Sequence, residues 1–361
     1  NTMADMAMIS ISLRRGEFDK ALKAIDGLEK KQPGKPMAAN LRGRALLAKK
    51  DVAGARKAFE HALSIDATYF PAIASLAAID VEEKKPEQAR RRFEGLLAKT
   101  PNQPQALLAL AQLRAREGGD KDEIIRLVSN AVSANPTDKF ARLLLVDLYL
   151  RNKDAKLALS AAQNAMTAIP DSPEILDALG RAQMASGDTN QALISFAKVA
   201  SLLPASPLPQ MRLAEANVRA KDRIAAAQSL RRALEIKPDH FDALAGLINL
   251  AIEDKKFAEA TTLAQTIQKQ RPNESVGYQL EGDIAAMQKK WNAAAGAYRA
   301  GLKKGPFPEL ATKLYATLQV SGQANEAEKL SATWLRDNPK DPLVRMYLAG
   351  EALLAKDMAG A

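Results

Sequence analysis

Few side chains in this sequence could perform acid-base or metal chemistry. There are two histidines, His61 and His240, and no cysteine. The histidines are far apart along the chain, so a histidine-based metal site or a Ser-His-Asp arrangement has little to build on. Without cysteine there is neither a thiolate nucleophile nor a disulfide, and the redox compartment is left open. We therefore expect no catalytic residue, no metal site and no cofactor.

Sequence motifs that recognise phosphate or nucleic acid are also scarce. Apart from Gly118-Gly119 the glycines occur singly, so there is no glycine-rich loop to hold a phosphate. The run Arg90-Arg91-Arg92 lies among glutamates, which predicts a solvated helix face. The net charge is +10, with basic zones at residues 1–60 and 181–240, but aromatic residues make up only 5%. Because no basic face is combined with stacking aromatics, we expect no nucleic-acid partner.

The chain repeats one motif at a nearly constant period. The prolines that mark it are mostly 34 residues apart: Pro33, Pro101, Pro136, Pro170, Pro204, Pro238, Pro272, Pro306 and Pro339. Twelve residues before most of these marks stands a small residue: Ala21, Ala55, Ala89, Ala158, Ala192, Ala226, Ala260, Ala294 and Ala327. Ala67 replaces the missing proline, and Ile124 interrupts the alanine column within the one lengthened repeat. The pattern predicts a series of helix pairs that touch through small residues.

This helix pair resembles the tetratricopeptide repeat over essentially the whole chain. The resemblance implies an all-α solenoid of about ten helix pairs wound into a right-handed superhelix. We expect one continuous domain over residues 1–361, with repeats ending near 33, 67, 101, 136, 170, 204, 238, 272, 306 and 339 and a partial one at 342–361. No apolar run is long enough to cross a membrane. Because the terminal repeats lack a polar capping face, we expect the chain to be a fragment of a longer protein.

In this family the fifth and ninth residues of each first helix face a concave groove, and the resemblance therefore implies candidate binding residues. Residues at these positions, together with the further groove residues Met184, Leu208 and Arg212, give the candidates Asn40, Arg44, Leu108, Gln112, Leu143, Asp147, Asp177, Arg181, Met184, Leu208, Met211, Arg212, Glu215, Asn249 and Asp283. The set has an apolar centre with charges around it, which suits a protein or peptide partner with apolar anchors and flanking charges. A groove whose side chains serve only packing and solubility is the alternative.

Several stretches resemble a more specific family, the tetratricopeptide lipoprotein of exosortase and PEP-CTERM protein-sorting systems. They are Leu13-Arg14-Arg15-Gly16-Glu17-Phe18-Asp19-Lys20-Ala21-Leu22, residues 28–33, 40–43 and 53–60, and Leu280-Glu281-Gly282-Asp283. The resemblance implies a periplasmic protein anchored through a lipidated N-terminus that lies outside this sequence, and a link to exopolysaccharide and biofilm production.

We therefore expect a non-enzymatic interaction scaffold, periplasmic and linked to exopolysaccharide production or protein sorting. One alternative is a scaffold of a polysaccharide secretion apparatus, of the cellulose, PNAG or Pel type. Another is a cytosolic adaptor or the regulatory domain of a transferase. The basic zones also suggest direct binding of an acidic polysaccharide, which would weaken steeply with salt.

Overall fold

A computed structural model of the protein describes residues 2–359, and the side chains of residues 2–353. Over these residues the chain forms 21 α-helices and no strand. The first eleven are α1 (Thr2–Arg14), α2 (Phe18–Lys31), α3 (Pro36–Ala48), α4 (Val52–Ile65), α5 (Phe70–Glu82), α6 (Pro86–Lys99), α7 (Pro104–Arg116), α8 (Lys121–Ala134), α9 (Lys139–Arg151), α10 (Ala155–Ala168) and α11 (Pro173–Ala185).

The remaining ten helices continue the same alternation of first and second helices. They are α12 (Thr189–Leu202), α13 (Leu208–Arg219), α14 (Arg223–Ile236), α15 (Phe241–Glu253), α16 (Phe257–Gln270), α17 (Val276–Met287), α18 (Trp291–Leu302), α19 (Pro308–Val320), α20 (Ala324–Asp337) and α21 (Pro342–Ala359). Each repeat end given above falls in the loop between a second helix and the next first helix. Of the partial repeat at 342–361, residues 360 and 361 lie outside the described residues.

The helices belong to two compact units, of which the first ends at Gly187 and the second begins at Asp188. We call them unit 1 and unit 2. Within each unit, a first helix packs against its own second helix, and that second helix packs against the next first helix. This all-helical arrangement of stacked pairs is an α-solenoid, in which each pair buries its apolar face against its neighbours.

The alanine column forms the closest helix contacts. Every alanine of the column is fully buried, and Ile124, which interrupts it, is 7% exposed. The cluster around Phe59 in unit 1 shows how the packing works, because Ala55 and Ala62 of α4 meet Ala39 of α3 and Leu76 of α5 in one core. A side chain with a single methyl group lets the two backbones approach, and the larger residues fill the space on either side.

Each first helix from α1 to α19 ends in a residue with positive φ, at the turn into its second helix. Glycine occupies this position at Gly16, Gly118, Gly187 and Gly322, and lysine occupies it at Lys50, Lys84, Lys153, Lys221, Lys255 and Lys289. The following residue donates its backbone N–H five residues back, as Lys256 does to the Ala251 carbonyl at 2.7 Å. This is the Schellman arrangement, which satisfies the last carbonyls of a helix and normally favours glycine. The lysines therefore occupy a conformation that costs a side chain about 1–2 kcal/mol.

Candidate functional site

An opening lined by several of the predicted groove residues lies in unit 2, between the first helices α13 and α15. It has a volume of about 720 Å³. It is lined by Leu208, Met211, Arg212, Ala214, Glu215, Val218, Lys221, Arg223, Leu230, Asp242, Gly246, Asn249, Leu250 and Glu253. Five of the candidate residues are thus brought together: Leu208, Met211, Arg212, Glu215 and Asn249. We call this opening the unit 2 pocket.

The wall of the unit 2 pocket is unusually apolar for an exposed surface. Leu208 is 52% exposed and Val218 is 51% exposed, and both lie on α13. They are ten residues apart, close to three helical turns, so they lie on one face of the helix. Met211 lies between them and is half-buried. Together they offer an apolar strip along α13 that no described side chain of the protein covers.

The floor of the pocket depends on a glycine. Leu230 of α14 packs against Gly246 of α15, and a Cβ atom on Gly246 would lie only 2.9 Å from Leu230 Cδ1. Because position 246 has no side chain, Leu230 reaches the surface of the pocket and lies there beside Leu250. Both leucines belong to the core of unit 2, so the pocket opens directly onto the core.

Polar groups are placed around this apolar centre. Asn249 and Glu215 are exposed, and Arg212 Nη1 lies 3.7 Å from Glu215 Oε2. The Asn249 side chain makes no hydrogen bond within the described residues, so its amide can both donate to and accept from a ligand backbone. At the end of the pocket near the inter-helix turn, Arg223 donates to Glu253 and to Asp254 Oδ1, the latter at 2.9 Å.

Unit 1 contains a smaller opening on the corresponding surface. It lies between α5 and α7, has a volume of about 350 Å³, and includes Gln112 and Arg116. Its lining includes the small residues Ala74 and Ala78 and the larger Phe93 and Leu113, while the predicted Leu108 is 9% exposed and belongs to the core. Phe93 and Leu113 are buried, and the opening has about half the volume of the unit 2 pocket, so it is the weaker candidate.

Three further candidates in unit 1 bind one another. Arg181 Nη1 donates to Asp147 Oδ1 at 2.7 Å, and Arg181 Nε donates to Asp177 Oδ2 at 3.0 Å. Burial alone would lower the pKa of Arg181, but the two carboxylates outweigh it and raise that pKa above its ordinary value. These charges hold α9 and α11 together. Because they bind one another, they are less available to a ligand than the sequence predicts.

The remaining candidates are spread over both units. In unit 1, Arg44 is exposed, Leu143 is half-buried, and Met184 is 6% exposed. Asn40 is 5% exposed, and its Oδ1 has no hydrogen-bond partner within the described residues. In unit 2, Asp283 accepts hydrogen bonds from Tyr298 at 2.7 Å and from Lys313 at 2.8 Å, so it links α17, α18 and α19.

One arginine of the run Arg90-Arg91-Arg92 holds two helices together. Arg91 is exposed and bound to Glu87, as a solvated helix face predicts. Arg92, in contrast, donates from Nε to Asp80 Oδ2 at 2.5 Å, and Arg56 Nη1 donates to Asp80 Oδ1 at 3.0 Å. Arg92 therefore departs from the predicted solvated face, since it joins α6 to the fully buried Asp80 of α5.

The histidines have local roles. His240 Nδ1 accepts a hydrogen bond from the Ala243 backbone N–H at 3.4 Å and so caps α15, whereas His61 is exposed near Ser64. Within residues 2–359 no group of three or more His, Asp or Glu side chains converges in a way that could hold a metal ion. None of the described helices is both long enough and apolar enough to cross a membrane.

Position-by-position reasoning missed most of the pocket lining. Val218 lies one helical turn after the ninth position of its helix and Asp242 one turn before the fifth position of its helix, and that spacing is the signal that could have identified them. Leu230 and Leu250 look like core residues in the sequence. The access of Leu230 to the pocket depends on Gly246, which only the packing reveals.

Comparisons with known proteins agree with this architecture. Two family models described as tetratricopeptide repeat match the chain. One matches residues 7–69, and the other matches residues 46–113 and 217–284. No curated protein matches the chain. Among solved structures, the C-terminal part of a TPR repeat-containing protein from Cytophaga hutchinsonii has a TM-score of 0.50 at 18% identity, covering 66% of this chain and 98% of that one.

Two shorter solved proteins are also similar to parts of the chain. MamA from Desulfovibrio magneticus RS-1, residues 41 to the end, has a TM-score of 0.42 at 20% identity, covering 49% of this chain and 98% of its own. YrrB, described as a TPR protein with an unusual peptide-binding site, has a TM-score of 0.44 at 19% identity. The match covers 56% of this chain and 99% of YrrB. Tetratricopeptide repeats therefore occupy the matched stretches, and the stacked helix pairs of the described residues form an α-solenoid; a repeat of this type is typically a non-catalytic scaffold for protein–protein interaction.

Proposed function

We propose that the protein is a scaffold whose unit 2 pocket binds a segment of a partner protein through a bulky apolar side chain. The observation that carries this proposal is the pocket itself, with Leu208 and Val218 about half exposed on its wall and Leu230 and Leu250 on its floor. An apolar side chain that enters the pocket would remove this surface from water, which stabilises a complex by about 1.5–3 kcal/mol for one large side chain.

The polar groups around the pocket favour a peptide over a free apolar molecule. A peptide carries an N–H and a C=O at nearly every residue, and the exposed Asn249 amide can bond to both. The partly neutralised pair of Arg212 and Glu215 would contact the flanking residues. An apolar anchor with backbone hydrogen bonds beside it is a common way for a groove to recognise a peptide.

A display library of random peptides tests the proposal directly. The immobilised protein should enrich peptides that share a bulky apolar residue, and a Leu208→Asp/Val218→Asp variant should not enrich them. Both substitutions replace exposed residues, so the variant should fold. If the variant enriches the same peptides, or if neither protein enriches any, the pocket is not a peptide site.

For the cellular setting, we propose a periplasmic protein held at a membrane through a lipidated N-terminus outside this sequence. We further propose a link to exopolysaccharide production or PEP-CTERM protein sorting. The support is the resemblance of residues 13–22, 28–33, 40–43, 53–60 and 280–283 to the lipoprotein of those systems. Fractionation of the native organism tests the location, because the full-length protein should be recovered with the membrane fraction. Recovery from the cytosol would exclude it and would favour the cytosolic adaptor.

Direct binding of an acidic polysaccharide is a separate part of this proposal, motivated by the basic zones at 1–60 and 181–240. Several cations of the first zone are already paired, such as Arg42 with Glu29 and Lys49 with Asp19. Sedimentation with alginate at increasing salt is the appropriate measurement. Binding that falls steeply with salt supports direct recognition, and absent or salt-insensitive binding counts against it.

A further inference from the structure

Three consecutive turns of unit 2 place a lysine where the backbone favours glycine. Lys221, Lys255 and Lys289 have φ angles of 61°, 58° and 57°. The next turn holds Gly322 at the same position, so the turn itself does not require lysine. A lysine at a helix C-terminus gains about 0.3–1 kcal/mol from the helix dipole, which does not offset the cost of its left-handed conformation. The backbone conformation at this position therefore does not by itself favour lysine.

The edge of unit 2 that these turns form is basic. It contains Lys221, Arg223, Lys255, Lys256, Lys289 and Lys290 against Asp222, Glu253 and Asp254. The carboxylates are already engaged, because Asp222 caps α14 through the Ala225 N–H, and Glu253 and Asp254 bind Arg223. Among the described residues, no carboxylate lies within ion-pair distance of Lys221, Lys255, Lys289 or Lys290. We call this surface the lysine edge.

The lysine edge begins at the unit 2 pocket. Lys221 and Arg223 line the pocket, and Lys255 and Lys289 follow in the next two repeats.

We infer that the partner segment carries acidic residues next to its apolar anchor, and that they lie along Lys221, Lys255 and Lys289. This inference rests on the proposed function, because the anchor in the pocket places the acidic stretch. It adds a charge requirement that the apolar pocket alone would not impose.

The chain offers a matched control for the test. Lys50, Lys84 and Lys153 occupy the same turn position in unit 1, with φ angles of 67°, 60° and 64°. The variants Lys221→Gln/Lys255→Gln/Lys289→Gln and Lys50→Gln/Lys84→Gln/Lys153→Gln therefore remove the same charge from the same backbone conformation. Each lowers the net charge from +10 to +7.

The random-peptide library is selected on the wild-type protein and on both variants, and the enriched pools are sequenced. We expect the wild type and the unit 1 variant to enrich an apolar residue flanked by Asp or Glu, and the unit 2 variant to enrich the apolar residue alone. An enriched peptide, labelled with fluorescein, should lose affinity on the order of tenfold when its acidic residues become Asn or Gln, as three exposed ion pairs predict. That loss should disappear on the unit 2 variant and shrink in high salt.

Several results would overturn the inference. If the enriched peptides share an apolar residue but carry no excess of Asp or Glu, the inference is wrong and the proposed function stands. If no apolar residue is enriched, both the inference and the proposed function are wrong. Equal loss of acidic enrichment on the unit 1 variant would mean that only net charge matters. If the selected peptides carry no acidic excess while alginate binds the wild type and not the unit 2 variant, the edge recognises an acidic polysaccharide and the inference is wrong.

Discussion

Arg181 and Asp147 occupy the same position in successive first helices, 34 residues apart, and are joined by a hydrogen bond of 2.7 Å. Asp177, one helical turn before Arg181, accepts a second hydrogen bond from the same guanidinium. The charges that the repeat pattern places in the groove of unit 1 therefore stabilise the stacking of α9 on α11. In unit 2 the pocket between α13 and α15 instead keeps exposed apolar residues and an exposed asparagine.

If Arg181 serves mainly to hold the two helices together, its removal should affect stability. We expect Arg181→Ala to lower the free energy of unfolding by about 1–2 kcal/mol, because two partly buried carboxylates lose their shared partner. Arg91→Ala is the control, since Arg91 is 73% exposed and its pair with Glu87 should contribute less than about 0.5 kcal/mol. Urea unfolding followed by circular dichroism measures both. Equal midpoints for the two variants would show that the Arg181 network is not structural.

The buried Asp80 should contribute more to the free energy of unfolding than Arg181 does. Its carboxylate is fully buried and accepts from Arg56 of α4 and Arg92 of α6. Asp80→Ala would leave two partly buried arginines without their shared partner, so we expect a loss of about 3 kcal/mol. Asp19→Ala removes a pair with Lys49 in which the carboxylate is 85% exposed, and it should cost less than about 1 kcal/mol. A loss at Asp80 no larger than at Asp19 would contradict this account.

The closeness of helix contacts can be tested at a glycine. A Cβ atom on Gly43 of α3 would lie 2.5 Å from the Phe59 ring of α4, whereas one on Gly27 of α2 would meet nothing within 4 Å. We expect Gly43→Ala to destabilise by about 1–3 kcal/mol, since Phe59 is fully buried and has little room to move. Gly27→Ala should be neutral or stabilising by up to about 1 kcal/mol through helix propensity. Thermal melts of both variants provide the comparison, and an unchanged melt for Gly43→Ala would refute the close crossing.

The Glu174 carboxylate should make the free energy of unfolding depend on pH in the acid range. Hydrogen bonds from Lys139 and Ser172 lower the pKa of Glu174 from 4.5 to about 2. Because the folded-state pKa is below the unfolded one, Glu174 stabilises the fold above about pH 4.5, and this contribution is lost as the pH falls towards 2. The side chain is 53% exposed, so solvent screening limits the effect to less than about 1 kcal/mol.

The measurement is the difference in unfolding free energy between the wild type and Glu174→Gln across this pH range. It should be largest at neutral pH and should shrink as the pH falls. A difference that stays constant, or one that grows in acid, would show that the hydrogen bonds do not hold Glu174 in its charged form.

The fold could be predicted from sequence because it depends on local features repeated many times. The alanine column, the prolines and the apolar stripes recur every 34 residues, and the family models and stacked helix pairs agree with the helix pairs they predict. Asp80 also left a signal, since it is the single charged residue among residues 70–81.

The candidate site was harder to predict because it depends on contacts between repeats. The sequence places Arg181, Asp147 and Asp177 on the groove but does not say that they bind one another. The unit 2 pocket in turn depends on Gly246 exposing Leu230, which is a property of packing. The lysine turns were not recognised, because lysine rarely adopts a positive φ and nothing local distinguishes these lysines from solvated ones.

The affinity of a library-selected peptide for four forms of the protein tests the central claim most directly. Fluorescence anisotropy would compare the wild type, Leu208→Asp/Val218→Asp, Asn249→Ala and Ile194→Asp. Ile194 is 63% exposed on α12 and lines neither the pocket nor the lysine edge, so it controls for an added charge on an exposed apolar residue of unit 2. We predict that Kd rises at least tenfold for the double variant. We expect a smaller rise for Asn249→Ala and none for Ile194→Asp. Equal Kd values for the wild type and the double variant, or an equal rise for Ile194→Asp, would show that the pocket is not where the partner binds.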